Sequence, residues 1–263
     1  MSLSISVATA LFGGASETSN AISASASLLV LRRAQSPDAA AKAIAAEKKD
    51  PVTLTALAQF KLALGKAKDV TAALRDPRIL GVLLPALGLT DQAAYPGLVQ
   101  KALLADPKDP KGVLAGLDSR FKNAATTLEL KAKGLAGLTD AKVQQTLTDG
   151  YLQYQYQKGL DAQAPGMSDA LYFLKNAANM KDIYSLLGNG VMRRVVTGAL
   201  GLPPQMAIQP IESQARTVNS RLPLADLQNA KKVQLLAQRY LMTKADAAGS
   251  GGTGGSPFLS LFA

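Results

Sequence analysis

At 263 residues the chain has room for one large domain or two medium ones, and its net charge of +10 favours acidic partners over basic ones. Hydrophobic residues make up 48% but aromatics only 5%, so any core must be assembled from Ala, Leu, Val and Ile. The absence of Cys, His and Trp excludes disulfides, thiolate nucleophiles, Cys or His metal sites and imidazole general bases.

Residues 1–31 are Ser/Ala-rich, with Glu17 as their single charge. They read as a mobile, uncharged leader that orders on contact with something else. No basic stretch precedes the apolar patch 5–12, so a cleaved secretory signal is not expected. Helix is predicted over 37–49, with Ser36 as N-cap and Pro37 at the first helical position. Asp50-Pro51 stops it, and 53–68 follows with Leu54, Leu57, Phe60 and Leu64 in helical spacing. Pro77 opens the next helix behind an Asp76 cap; Ile79, Leu80, Leu83 and Leu84 share a face and Gly88 ends it.

The segment 90–104 repeats the helical signal. Asp106-Pro107-Lys108-Asp109-Pro110 is a turn cluster, and its carboxylates read as a solvated turn rather than a calcium loop. Helices over 112–133 and 139–160 come next, the latter with Val143, Leu147, Tyr151 and Tyr154 on one stripe. After a break at 161–168, helices recur at 168–178, 180–187 and 190–200. Pro203, Pro204 and Pro210 predict a rigid extended connector. A last helix spans 224–243, with Val233, Leu236, Ala237, Tyr240 and Leu241 on one face. The stretch 247–256 reads as a flexible Gly/Ser linker leading to an apolar end, Phe258, Leu259, Leu261 and Phe262.

An internal echo organises this series. Phe60, Lys68, Asp69, Leu74, Val82, Ala86, Leu87, Gly88 and Leu89 reappear, 113 positions later and without a gap, as Phe173, Lys181, Asp182, Leu187, Val195, Ala199, Leu200, Gly201 and Leu202. The expected architecture is therefore all-α: a leader (1–31), two related helical units (32–160 and 161–244) and a glycine-rich tether with an apolar end (245–263). Within the echo, Asp69 and Asp182 read as helix caps. Each Ala-Leu-Gly-Leu reads as a helix end with glycine left-handed, and Leu87 and Leu200 are expected as core anchors. Superposable helices with Phe60 and Phe173 at equivalent buried places follow from the same reading. Gly188-Asn189-Gly190 is a turn, not a phosphate loop.

No catalytic, cofactor-binding or metal-binding residue is identified, and the chain is expected to be non-enzymatic. No run approaches the 18 consecutive apolar residues that would suggest a membrane-spanning helix. Contact with partners is expected instead from the ends, through Leu11, Phe12, Leu28, Leu29, Leu31, Phe258, Leu259, Leu261 and Phe262, and from Arg193 and Arg194. The two arginines lie in a second half (175–244) with ten basic residues against three acids, Asp182, Glu212 and Asp226.

The segments Leu74-Arg75-Asp76-Pro77-Arg78-Ile79-Leu80, Ala86-Leu87-Gly88-Leu89 and Asp169-Ala170-Leu171-Tyr172-Phe173, with Arg193-Arg194-Val195-Val196-Thr197 and Gln238-Arg239-Tyr240-Leu241, resemble in their order a bacterial family of domains of unknown function often encoded within flagellar gene clusters. The similarity covers residues 40–245. It implies a structural or assembly protein of the bacterial flagellum, exported without a cleaved signal by the flagellar secretion system, whose partners are flagellar or other protein subunits, its own copies included. The glycine tether departs from the terminal helix with which axial flagellar proteins usually close, and the resemblance leaves axial, surface-decorating and accessory roles open. The alternative reading is a cytoplasmic protein that binds nucleic acid or acts like a chaperone through the basic second half. Steep salt dependence would mark phosphate binding.

Overall fold

The computed structural model describes residues 24–249, and within them the chain is all helical and turn, with no strand. The described residues begin with four helices: α1 (Ala24–Ala34), α2 (Pro37–Glu47), α3 (Pro51–Lys66) and α4 (Val70–Ala73). They are followed by α5 (Pro77–Ala86), α6 (Pro96–Leu103), α7 (Ser119–Leu128), α8 (Leu130–Lys133) and α9 (Ala136–Thr139). The long α10 (Ala141–Gln163) leads to α11 (Met167–Asn176), α12 (Ile183–Gly188), α13 (Gly190–Ala199), α14 (Ile211–Arg221) and α15 (Ala230–Gly249).

Local chemistry sets many of these boundaries. Asp50, Asp76, Asp118 and Asp140 each sit at an N-cap and accept backbone N–H groups of the first turn, which satisfies donors the helix leaves unpaired. Gly88 and Gly201 have φ of +68° and +61°, the left-handed state that suits glycine. Behind them Leu89 N–H reaches Leu84 O at 2.8 Å and Leu202 N–H reaches Thr197 O at 2.9 Å. Both are Schellman closures that fold the following Leu back onto the core.

The helices enclose two apolar cores. The first is built from residues between Phe60 and Tyr151, centred on Ile79, Leu83, Leu103, Phe121 and Leu138. The second draws on residues between Tyr156 and Leu241, together with Leu31 and Ala34 of α1. Helix α10 is common to both: Leu147 and Tyr151 enter the first core, Tyr156 and Leu160 the second. Around it, α5 packs between α10 and α3, while α15 lies against α13, α11 and α1.

Several expectations change here. Residues 24–31 are not part of a mobile leader; they belong to α1, and Leu31 is 1% exposed in the chain's own second core. Helices α1 and α2 therefore pack with the second core although they precede the first in sequence, and the division between cores runs through α10 rather than after residue 160. The proline-rich stretch after Pro203 is not an extended connector. It forms a 3₁₀ turn (Pro204–Ile208), and Pro210 opens α14, because the φ that proline imposes is also the φ of a first helical turn. Residues 247–249 continue α15 instead of beginning a linker. The expected helix over 112–133 breaks at Glu129, whose φ is +48°. Leu87 and Leu200 are only half-buried; the leucines after each glycine, Leu89 and Leu202, are the buried ones.

Candidate functional site

The most elaborate polar arrangement lies where the two cores meet. The left-handed turn at Gly88 leaves its carbonyl pointing away from α5, and Arg120 of α7 donates to it from Nη1 at 2.6 Å. The same guanidinium grips Asp91 with two bonds, Nη1 to Oδ1 at 2.8 Å and Nη2 to Oδ2 at 2.9 Å. Its Nε donates to Asp118 Oδ2 at 2.9 Å, and Asp118 Oδ1 caps α7 by accepting the Arg120 N–H. Arg120 is only 6% exposed, so a buried charge is met on both edges by carboxylates, the geometry that guanidinium suits best. Burial opposes the charge, but hydrogen bonds to Asp91 and Asp118 hold Arg120 firmly protonated. Burial likewise pushes Asp91 up, and the Arg120 guanidinium pulls it below its ordinary value.

Asp118 also joins the two cores. Its Oδ2 accepts the N–H of Gly190, the first residue of α13, at 3.3 Å, a favourable place for a carboxylate at the positive end of a helix. Asn189 completes that cap, accepting from Val191 and Met192 N–H and donating to the Tyr172 hydroxyl at 3.0 Å. One helical turn along α13, Arg194 forms a bidentate pair with Asp169 of α11, at 3.0 and 2.8 Å. Asp169 Oδ2 also accepts the Tyr240 hydroxyl at 2.8 Å. Burial, and then Asp169, raise the Tyr240 phenol far above its usual value. The ring is held by close approach: a Cβ added at Gly198 would fall 2.7 Å from it, and one at Gly166 2.9 Å. Nearby, Asp161 accepts from the Ser168 N–H and hydroxyl, and burial raises its carboxyl.

Three segments singled out in the sequence thus converge, through Asp169, Arg194 and Tyr240. Along the seam Asp91, Asp118, Asp161 and Asp169 all accept hydrogen bonds from internal donors. Among the described residues no group of three or more carboxylates, His or Cys is placed to hold a metal ion, and no helix is long and apolar enough to cross a membrane.

The residues expected to meet partners fare unequally. Leu31 is sealed inside its own chain, so it is not a contact residue; Leu28 is half-buried and Leu29 is exposed. Arg193 donates to Leu187 O at 3.2 Å and closes the α12 end, while Arg194 turns to Asp169. Leu11, Phe12, Phe258, Leu259, Leu261 and Phe262 lie outside the described residues. Sequence reasoning missed Arg120, Asp91 and Asp118. The Asp118-Ser119-Arg120 cap was readable locally, but Asp91 and Gly190 reach it only through the tertiary fold. It also missed the solvent-facing apolar side chains of α3, where Val52, Leu54 and Leu62 are 73%, 50% and 65% exposed. The available signal was that apolar side chains run round more of α3 than one buried stripe requires.

Comparison with known proteins places these features in context. The model of a family described as "Protein of unknown function (DUF1217)" matches residues 86–233, more than half of the chain. That region includes Asp91, Asp118, Arg120, Asp169, Gly190 and Arg194. No curated protein matches the sequence. The crystal structure of protein AGR_C_984 from Agrobacterium tumefaciens is similar, with a TM-score of 0.65 at 20% identity over 84% of this chain and 93% of that one. At that identity the likeness is one of fold.

Proposed function

The chain belongs to the DUF1217 family, and from that premise we propose that it is a non-enzymatic structural or assembly protein of the bacterial flagellum, exported without a cleaved signal. The observation that supports a contact role is the distribution of polar and apolar groups. The charges at the junction of the two cores, the buried Arg120 above all, pair with one another, whereas large apolar side chains such as Val52, Leu62 and Ile208 stand on the surface. A protein built to react keeps a polar group poised toward a substrate; one built to assemble keeps apolar surface outside. The flagellar setting rests on the resemblance of the ordered segments 74–80, 86–89, 169–173, 193–197 and 238–241 to a family encoded among flagellar genes.

The test is to fractionate cells into cytoplasm, envelope and sheared flagella and to probe for this chain, with and without residues 1–23. The full chain is expected with the flagella, and the shortened chain is expected to fold but stay in the cytoplasm. Full-length protein confined to the cytoplasm, with nucleic-acid binding that weakens steeply in salt, would replace this reading with that of a cytoplasmic binding protein acting through the basic second half.

A further inference from the structure

We propose that the two cores are separate bodies hinged where the chain passes between them, and that the contact of Asp118 with the start of α13 is the latch that holds them closed. The described chain passes between the cores twice, at 48–50 between α2 and α3, and within α10. The two crossings lie side by side: burial raises the Tyr151 phenol of α10 above its ordinary value, and the nearby carboxylate of Asp50 adds to that. Between Tyr151 of the first core and Tyr156 of the second, one turn of α10 carries the half-buried Gln153, Tyr154 and Gln155. Each half of α10 is fixed to its own core. A Cβ added at Gly150 would fall 2.4 Å from Ala86 O, so the α5 and α10 backbones touch. Beyond the central turn, Leu160 is buried in the second core and Asp161 accepts the Ser168 N–H of α11. Apart from α10, no pair of the described helices packs extensively across the junction.

The polar contacts at the junction are strong within each core and weak between them. Among the described residues, one hydrogen bond runs directly from the helices of the first core to those of the second: Gly190 N–H to Asp118 Oδ2, at 3.3 Å. On its own side Asp118 Oδ2 is held more tightly, by Arg120 Nε at 2.9 Å and Nη2 at 2.7 Å. On the other side Asn189 takes the N–H groups of Val191 and Met192, which leaves that of Gly190 for Asp118. Arg194 Nη1 and Asp91 Oδ2 each lie 3.8 Å from the place a Gly190 Cβ would occupy. Their charges face one another across the junction, but each is paired within its own core, Arg194 with Asp169 and Asp91 with Arg120. A single hydrogen bond to a charged acceptor makes a modest net contribution. The latch therefore releases while both cores stay folded, and the change in angle is absorbed by the few residues at the two crossings.

The hinge is measured on the purified full chain, so it holds or fails independently of the assembly reading. Gly190→Pro is the variant of choice. Proline suits the first position of a helix, and Asn189 before it is already extended, as proline requires. Its ring carbon replaces the N–H and stands where Asp118 Oδ2 now sits, so the latch is wedged open. Gly190→Ala is the control, since it keeps the N–H and its Cβ meets its neighbours at ordinary contact distances. Asp118→Ser is the second opening variant: serine still caps α7 but is too short to reach Gly190. The natural chain has no cysteine, so spin labels go only where they are placed. Asn123→Cys with Asn219→Cys spans the two cores; Lys61→Cys with Asn123→Cys lies within the first, and Lys175→Cys with Asn219→Cys within the second. In pulsed electron spin resonance, Gly190→Pro and Asp118→Ser are expected to broaden the distance distribution between the cores about twofold or more. Gly190→Ala should leave it as in the natural chain, and the pairs within each core should keep their widths in every variant. An inter-core distribution unchanged in both opening variants, equal broadening by Gly190→Ala, or broadening within the cores as large as that between them would each overturn the proposal.

Discussion

The stretches 60–89 and 173–202 are built alike locally and housed differently. Each runs from a helix carrying a buried Phe, Phe60 or Phe173, into a short helix capped by Asp69 or Asp182, then into a helix closed by a left-handed glycine. The caps agree closely: Asp69 accepts from Ala72 N–H at 2.8 Å and Asp182 from Ser185 N–H at 2.7 Å, both from extended backbone. Their surroundings diverge. Helix α11 is covered by α15, and its Asp169 anchors Tyr240 and Arg194; α3 carries no such anchor and leaves Val52, Leu54 and Leu62 outside. The difference teaches that short-range chemistry can repeat along a chain while the partners of each copy are chosen by what else the fold brings to it.

The comparison can be broken most forcefully at the aromatic anchors. Phe60→Ala and Phe173→Ala should each cost about 3–5 kcal/mol in urea unfolding, because both rings are fully buried and their loss leaves a cavity. If one variant loses less than about 1 kcal/mol, the two places are not equivalent packing centres.

The junction between the cores should respond next, and asymmetrically. Arg120→Met strands Asp91 and Asp118 without their partner and should cost about 3 kcal/mol. Arg194→Met, at a side chain 45% exposed, should cost about 1 kcal/mol or less. The pH dependence follows from Asp91, whose carboxyl is held below its ordinary value by Arg120 against the opposing effect of burial. Its contribution is complete above the unfolded carboxyl's ordinary value and disappears as pH falls through the lower folded one. The stability difference between the natural chain and Arg120→Met should therefore shrink in acid. A difference that stays constant down to about pH 2 would remove Asp91 from the account.

The finest distinction is at the caps. Asp69→Ala and Asp182→Ala should each lose about 1 kcal/mol and should match within a few tenths. A much larger loss at Asp182 would show that its hydroxyl partner, the Ser185 Oγ bonded at 2.6 Å, matters more than the shared backbone cap.

Much of this was legible before the fold was known, and the exceptions have physical reasons. The caps at Asp69, Asp76 and Asp182 and the glycine turns at Gly88 and Gly201 were readable because each depends on atoms within about five residues. The helix at 211–221 was not, because proline signals both an extended path and a helix start, and only the burial of Ala215 and Val218 decides between them. Placing the anchor at Leu87 or Leu200 erred by two residues, since the glycine reverses the chain and turns the later leucine inward. Among the expected contact residues, Leu31 turns into the chain's own core instead, because the Ser/Ala/Leu-rich sequence of α1 shows no sign of the α15 surface that receives it.

The amino-acid sequence by itself determined the all-helical class, most helix starts and stops and the paired left-handed turns, since these follow from backbone dihedral limits and hydrogen bonds closed within a turn or two. Only the tertiary structure decided that α1 returns to the second core, that Arg120 meets Asp91 and Gly190, and that α3 keeps apolar side chains in solvent. Those outcomes depend on which surfaces compete for the same partner across more than a hundred residues. Burial is non-directional, so the same apolar residue serves equally as core or as interface until the packing of the whole chain assigns it.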